Sequence, residues 1–314
     1  MTPDEYLQLA TEHILACPLC GSGSRLPVHD QDRAGFPATS VMCPQCGLVY
    51  ITPRLSAESY AEFYRSGEYR QIGKTFSPDS TLESRRDCQD KYAASVSSLL
   101  KQTTSGNLAG TFLDIGGSIG ATAARLQQDF GLRGTVLEPS DEERHEAEKA
   151  GLATIAGTFD DWEPSERYDV VGLFQTVDHL LHPSESLLKI RQRIIKDTGW
   201  LLVDCVDFRF LATGLGSLAK AVKIDHPCAF TSWNLHCLLE RCGFFVQATA
   251  DWSETVTLEF DGYEETISRK RLFFCRPQGV YGSSLPDARD VYRLGAIIGG
   301  VRNYMAEREA VTSG

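Results

Sequence analysis

Four cysteines and one glycine-rich turn hold the residue types best suited to chemistry in this chain. Cys17-Pro-Leu-Cys20-Gly21 and Cys43-Pro-Gln-Cys46-Gly47 are two matched C-x-x-C-G knuckles. Each turns the chain sharply and aims two thiolates at one point, and the glycine after the second cysteine permits the turn. Four thiolates suit a closed, tetrahedral, structural Zn2+ site with no position left open for catalysis. The other six cysteines (Cys88, Cys205, Cys228, Cys237, Cys242, Cys275) are scattered and expected as small buried hydrophobes. The second feature is Thr111-Phe-Leu-Asp-Ile-Gly-Gly-Ser-Ile-Gly120. A helical pattern follows from Ala121 to Phe130, and a second apolar run ends on Glu138. A strand, glycine loop, helix and strand in that order can hold a nucleoside. Glycine lets the backbone approach the ligand, and a carboxylate at the next strand tip can accept both ribose hydroxyls. Ser118 stands where a dinucleotide fingerprint needs its second glycine, so the turn departs from that pattern.

The elements that must position these residues read as an α/β chain. Strands are expected at 111–116, 134–138, 153–157, 169–175, 199–206, 244–251 and 270–275, and helices at 119–130, 140–150, 184–197 and 231–242. This alternation predicts a doubly wound, Rossmann-like seven-stranded sheet covered on both faces. Segment 207–228 breaks the rhythm after the fifth strand, at the edge where ligands bind, and is expected as a lid or substrate loop. Upstream, residues 1–54 read as a short helix and a zinc ribbon. Residues 55–105 read as a helical connector: a helix over 56–64, a mobile polar loop over 71–81, and a long helix over 82–100. The nucleoside-binding domain is set at 106–277, and 278–314 form a tail with a helix from about Asp287.

The pattern D-x-G-x-x-x-G from Asp114 to Gly120, with the distant acid Glu138, resembles the class I S-adenosylmethionine-dependent methyltransferases. Tyr168-Asp-Val-Val-Gly-Leu-Phe-Gln175 followed by Asp178-His179, Gly199-Trp-Leu-Leu-Val-Asp204, and His226-Pro-Cys-Ala-Phe-Thr231 extend the likeness over 111–277. The two knuckles, then Gly-Leu-Val-Tyr, Pro-Arg and Phe-Tyr-x4-Tyr-Arg, resemble bacterial sugar and natural-product methyltransferases with an N-terminal zinc module. The chain departs from the deoxysugar C-methyltransferases among them. Ile224-Asp225-His226 replaces their His-Glu-His, and only about 40 residues follow the likeness here, where those enzymes carry a large extra domain.

The resemblance implies roles. Asp114 orients the methionine amine, Gly116, Gly117 and Gly120 let the chain wrap the cofactor, and Glu138, followed by Pro139, takes the ribose diol. Phe159 and Asp160 are expected against adenine, and Phe174 and Gln175 beside the sulfonium. The cofactor carries the hard chemistry, so the protein must align the reactants and accept a proton. His226, after the lid segment, is the expected general base. His179 and His182 are expected as turn residues. Tyr69 is expected to line the substrate site, and Arg70 to pair with an acidic substrate.

A net charge of −11 argues against a nucleic-acid partner, which would want a basic surface. No apolar run approaches the roughly 20 residues of a membrane span, and the mixed N-terminus is no secretory signal. The expectation is therefore a cytoplasmic enzyme that transfers a methyl group to a small-molecule or glycan acceptor. The alternatives are a zinc-ribbon RNA methyltransferase and a non-catalytic scaffold of the same fold. Oligomeric state is left open.

Overall fold

A computed structural model describes residues 2–74, 81–104, 106, 108–215, 217–260, 263–279, 281–282 and 284–312. Its centre is a seven-stranded sheet. The strands are β1 (Thr111–Ile115), β2 (Arg133–Glu138), β3 (Ala153–Ala156), β4 (Tyr168–Leu173), β5 (Ile195–Val206), β6 (Phe244–Phe260) and β7 (Tyr263–Pro277). Their order across the sheet is β6-β7-β5-β4-β1-β2-β3. β1 to β5 run parallel, and β7 pairs antiparallel with both β5 and β6. Near-continuous apolar runs such as Phe112, Leu113 and Ile115 are buried because helices cover both faces. The chain reverses direction across the sheet between β1 and β4, which opens a crevice at their C-terminal ends.

Two expected elements come out differently. The helix over 184–197 stops early: Pro183–Lys189 is α-helical, Ile190–Ile194 forms a π turn, and β5 starts at Ile195. Ile194 and Ile195 are both fully buried, so the run of apolar residues is satisfied by strand pairing with Tyr168. The hairpin β6–β7 also runs well past the expected 244–251 and 270–275. Its outer half pairs only with itself, from Thr255 against Ser268 to Phe260 against Tyr263. One face is partly covered there, with Ile267 and Ser268 buried and Val256 and Leu258 half-buried beside exposed Thr255 and Thr257.

Three helices of the connector cross the mouth of the crevice: α1 (Ala57–Arg65), α2 (Glu68–Lys74) and α3 (Leu82–Thr104). Ser56 caps α1, its side chain accepting from the Ser59 amide. Gly67, at φ +71°, breaks the chain between α1 and α2. The loop expected over 71–81 is helical as far as Lys74, because Ile72 is buried among Tyr6, Phe63 and Ile224; residues 75–80 lie outside the described ones.

The N-terminal segment builds a four-stranded antiparallel sheet of Leu26–Gln31, Pro37–Met42 and Val49–Ile51, completed by Cys228–Ala229 from the far end of the chain. The cysteine knuckles pack into the same apolar core as β1, β4 and β5. Arg54, only 1% exposed, donates to Leu181 O and pairs with Glu12 across this junction. The expected lid, 207–228, is ordered as helices Phe208–Gly214 and Leu218–Ala221 before that strand. Buried Arg209 ties it to Asp207 and to Glu265 on β7. The tail helix Ala288–Thr312 lays Leu294 and Ile298 on Met42, Val49 and Phe208.

Candidate active site

One cavity of about 1270 Å3 runs along the C-terminal ends of β1, β2, β4 and β5, under the connector helices. That volume exceeds what one drug-sized ligand fills and suits two molecules side by side. At one end the glycine turn between β1 and the helix Ala121–Phe130 wraps Asp114. Gly116, at φ +69°, passes so close to Thr176 that an added Cβ would lie 2.9 Å from its hydroxyl. A Cβ on Gly117 would meet the Asp114 carboxylate at 2.9 Å. Asp114 is 1% exposed, and its Oδ1 is buried with no hydrogen-bond partner among the described residues. Burial first, then the charges of Glu138 and Asp204, push its carboxyl up to about 8.

Glu138 ends β2 with both oxygens engaged: Oε2 accepts from the Ser118 amide at 3.0 Å and Oε1 from the Ser140 amide at 2.9 Å. Burial and nearby Glu143 raise its carboxyl to about 7. Arg70 closes this end from α2. Its Nε donates to Glu143 Oε1 at 2.6 Å and its Nη2 to Ser118 Oγ at 3.2 Å.

The other end is built for proton handling. His226 Nδ1 lies 2.8 Å from Asp178 Oδ2, and the Lys223 ammonium lies 3.1 Å from His226 Nε2. An ammonium only donates, so Nε2 carries the lone pair and Nδ1–H points to Asp178. Burial opposes the charge of Asp178, but His226, His179 and Lys223 hold its carboxyl below the usual range. His179 lies beside this pair, its ring 4.3 Å from that of His226. Tyr64 donates to Asp225 O at 2.8 Å, so its oxygen accepts from His179 Nδ1–H, also at 2.8 Å. Burial and then His226 lower His179 to about 4, which keeps it neutral. Ligand atoms of Asp178, His179 and His226 lie within 4.8 Å of one another. The Lys223 ammonium against Nε2 disfavours a second cation there, so we read the trio as an aspartate–histidine pair with a neutral neighbour.

Between the two ends lie Phe174 and Gln175. Gln175 is held at φ +53°, its amide donating to Asp204 Oδ1. Tyr92 of α3 donates to the other oxygen of Asp204 at 2.8 Å, and burial raises that carboxyl to about 6.

The four knuckle sulfurs lie within 4.8 Å of one another, with Cys17–Cys46 and Cys20–Cys43 each at 3.5 Å. Zn–S bonds of about 2.3 Å arranged tetrahedrally place sulfurs about 3.8 Å apart, so the set fits that ion. Gly21 and Gly47, both at positive φ, donate back to Cys17 O and Cys43 O at 2.9 Å and close each knuckle.

A family model described as a methyltransferase domain matches residues 84–249, just over half of the chain. The chain belongs to this methyltransferase family. It is an S-adenosylmethionine-dependent enzyme of the seven-stranded α/β type. Among solved structures the methyltransferase is similar to an S-adenosylmethionine-dependent methyltransferase, possible histamine N-methyltransferase, from Thermotoga maritima, with 18% identity, TM-score 0.45, and 62% of this chain covering 93% of that one. It is also similar to magnesium protoporphyrin IX methyltransferase from Synechocystis PCC 6803, with 15% identity, TM-score 0.47, and 70% of this chain covering 99% of that one. The plantazolicin methyltransferase shows 13% identity and TM-score 0.47 over 69% of this chain and 94% of that one. No curated protein matches the chain.

In the methyltransferase, Asp114, Gly116, Gly117, Glu138, Pro139, Phe159, Asp160, Phe174, Gln175, Tyr69 and His226 all line the one cavity. Gly120 does not. At φ +78°, its missing Cβ would strike Leu152 at 2.4 Å and Ala147 at 3.0 Å, so this glycine serves helix packing. Tyr69 is a wall residue: burial and then Glu143 push its phenol far above neutral pH, and its ring packs on Tyr64 at 5.2 Å. Arg70 lines the cavity and pairs with Glu143. The sequence reading missed Glu143, Tyr92, Asp204 and Lys223, and took Asp178 only as half of an acid–His pair. In the sequence, the polar ends of β4 and β5 were the available signal for Asp178 and Asp204.

Proposed function

We propose that this enzyme methylates a hydroxyl group of a small-molecule or glycan acceptor, with His226 as general base and Asp178 as its positioning residue. The observation that carries this reading is the Asp178–His226 pair facing the same cavity as Asp114 and Glu138. S-adenosylmethionine supplies an activated methyl group on a good leaving group. Its residues here are Asp114 for the amine, Glu138 for the ribose hydroxyls, Phe159 and Asp160 for adenine, and Phe174 and Gln175 near the sulfur. The unpartnered Asp114 oxygen fits a cationic amine, since a buried acceptor with no donor is costly to leave so.

His226 Nε2 takes the acceptor's hydroxyl proton, and Asp178 steadies the imidazolium that forms. Neutral His179, held by Tyr64, buttresses the ring. The connector helices and the segment 207–228 enclose the site and exclude water. We propose a structural Zn2+ at Cys17, Cys20, Cys43 and Cys46. The division into ribbon (1–54), connector (55–105), catalytic domain (106–277) and tail (278–314) is read alongside it, the ribbon sheet borrowing Cys228–Ala229. The placement of that strand directly after His226 ties the metal module to the base.

The test is release of S-adenosylhomocysteine with a panel of hydroxylated small molecules and sugars. A positioned base contributes on the order of 10²–10⁴-fold, so His226→Ala must lower turnover by that order. Its affinity for S-adenosylhomocysteine stays unchanged. An undiminished rate in His226→Ala removes the base from this role.

A further inference from the structure

Among the described residues, two half-buried ammonium groups in the acceptor half of the cavity have no ion pair. Lys223 comes from the segment after the helix Leu218–Ala221, and Lys270 from β7, paired across the sheet with Val206 at the end of β5. Both line the cavity. Among the described residues Lys223 makes one polar contact, to His226 Nε2 at 3.1 Å. Lys270 lies over the rings of Tyr92 and Trp252, 4.8 and 5.0 Å from their centroids. Among the described residues neither ammonium lies within ion-pair distance of a carboxylate.

The carboxylates nearby are engaged elsewhere. Asp178 binds His226, Asp204 accepts from the Gln175 amide and Tyr92, and Asp225 lies 3.8 Å from His226 Nε2. Arg269, next to Lys270 and also lining the cavity, has only the exposed Glu254 at 3.4 Å. Burial lowers both lysines; Asp225 and Asp178 oppose this at Lys223, and Asp204 and Asp178 at Lys270, while Arg33 and Arg269 add to it at Lys223, and Arg269 and Lys223 at Lys270. An anionic ligand between these ammoniums supplies the direct ion pair they lack. This end contrasts with the cofactor end, where Asp114 and Glu138 await a cationic amine and hydroxyls. A chain of net charge −11 thus places two ammoniums with no ion pair among the described residues on the acceptor side of one cavity.

We infer that the acceptor is an anion, carrying a carboxylate or phosphate beside the reacting hydroxyl, and that Lys223, Lys270 and Arg269 bind that group. This deepens the proposed function and rests on it for the identity of the reacting end. An ammonium–oxyanion contact is about 2.8 Å, so an anion on Lys223 lies within about 6 Å of His226 Nε2. That distance fits a negative group two or three bonds from the hydroxyl. It does not fit one at the far end of a long molecule. As the acceptor enters, its hydroxyl replaces the Lys223 ammonium at Nε2, and Lys223 turns to the anion. The base is then free to act only when an anionic acceptor is present.

The experiment is calorimetric titration with malonate and, separately, inorganic phosphate, with and without saturating S-adenosylhomocysteine. Binding of at least one of them in the millimolar range is expected, malonate alone indicating a carboxylate acceptor and phosphate alone a phosphorylated one. Lys270→Met and Lys223→Met should each weaken it about tenfold or more, while Lys270→Arg, which keeps the charge, retains it. No anion binding up to about 10 mM, or equal binding in both Met variants, overturns the inference. S-adenosylhomocysteine is scored in the same titrations. Its failure to bind would count against the cofactor site alone, and the anion result stands on the ligand-free protein either way.

Discussion

Glu138→Gln probes the cofactor end with little change of shape. In the wild type each carboxylate oxygen accepts one backbone amide, from Ser118 at 3.0 Å and Ser140 at 2.9 Å, and each keeps a lone pair for a ribose hydroxyl. A glutamine must turn its NH2 toward one of those two amides, whichever rotamer it adopts. One oxygen is then lost to the ribose and the remaining one is uncharged. Hydrogen bonds to charged groups contribute about 1.5–3 kcal/mol each. Losing one raises the Kd for S-adenosylhomocysteine roughly 10- to 150-fold. Calorimetric titration of both proteins measures this, and thermal unfolding of the ligand-free forms separates it from damage to the β2 tip. If the ligand-free melting points match and Kd changes less than about threefold, Glu138 does not hold the ribose, and the reasoning from strand tip to diol fails.

Three further outcomes follow from the same geometry. Asp178→Asn removes the anion that faces His226 Nδ1 at 2.8 Å, so kcat should fall by about 1.5–3 kcal/mol in barrier, roughly 10- to 150-fold, with cofactor affinity retained; equal kcat would deny Asp178 its positioning role. Binding of S-adenosylmethionine should release protons at pH 7, because Asp114 at about 8 and Glu138 at about 7 are partly protonated beforehand and the bound amine and hydroxyls favour their charged forms. Affinity then rises with pH through that window, and titration in two buffers of different ionisation enthalpy would show proton uptake or none if this is wrong. Metal analysis should find one zinc per chain, and chelation should lower the melting point, since metal binding at a thiolate cluster is folding free energy; a metal-free chain with the same melting point would contradict a structural role for Cys17, Cys20, Cys43 and Cys46.

Much of the fold was legible because its signals are local. The glycine turn, the acid ending β2 and the alternation of apolar strands with amphipathic helices each sit within about ten residues. What failed was non-local. Ile190 to Ile195 has helical apolar spacing, and only pairing with β4 turns its end into strand. The outer β6–β7 hairpin carries only a weak alternation, Val256 and Leu258 half-buried beside exposed Thr255 and Thr257, and pairs with no other strand. At the site, the cofactor residues lie on adjacent strand ends and could be read from their motif. The His226 partners could not. Asp178 lies 48 residues upstream and Tyr64, which fixes His179, lies 115 residues before it. The partner of Arg70, Glu143, could not be read because it is 73 residues away and looks like any surface acid of a charged helix.

The central claim is that Asp114, the glycine turn and Glu138 form a site for S-adenosylmethionine in front of a histidine base. Calorimetric titration of the wild-type protein with S-adenosylmethionine, S-adenosylhomocysteine and NAD tests it most directly. One equivalent of each S-adenosyl compound should bind, and NAD should not. Binding of NAD in preference to both, or of none of the three to a folded, zinc-loaded chain, would contradict the account.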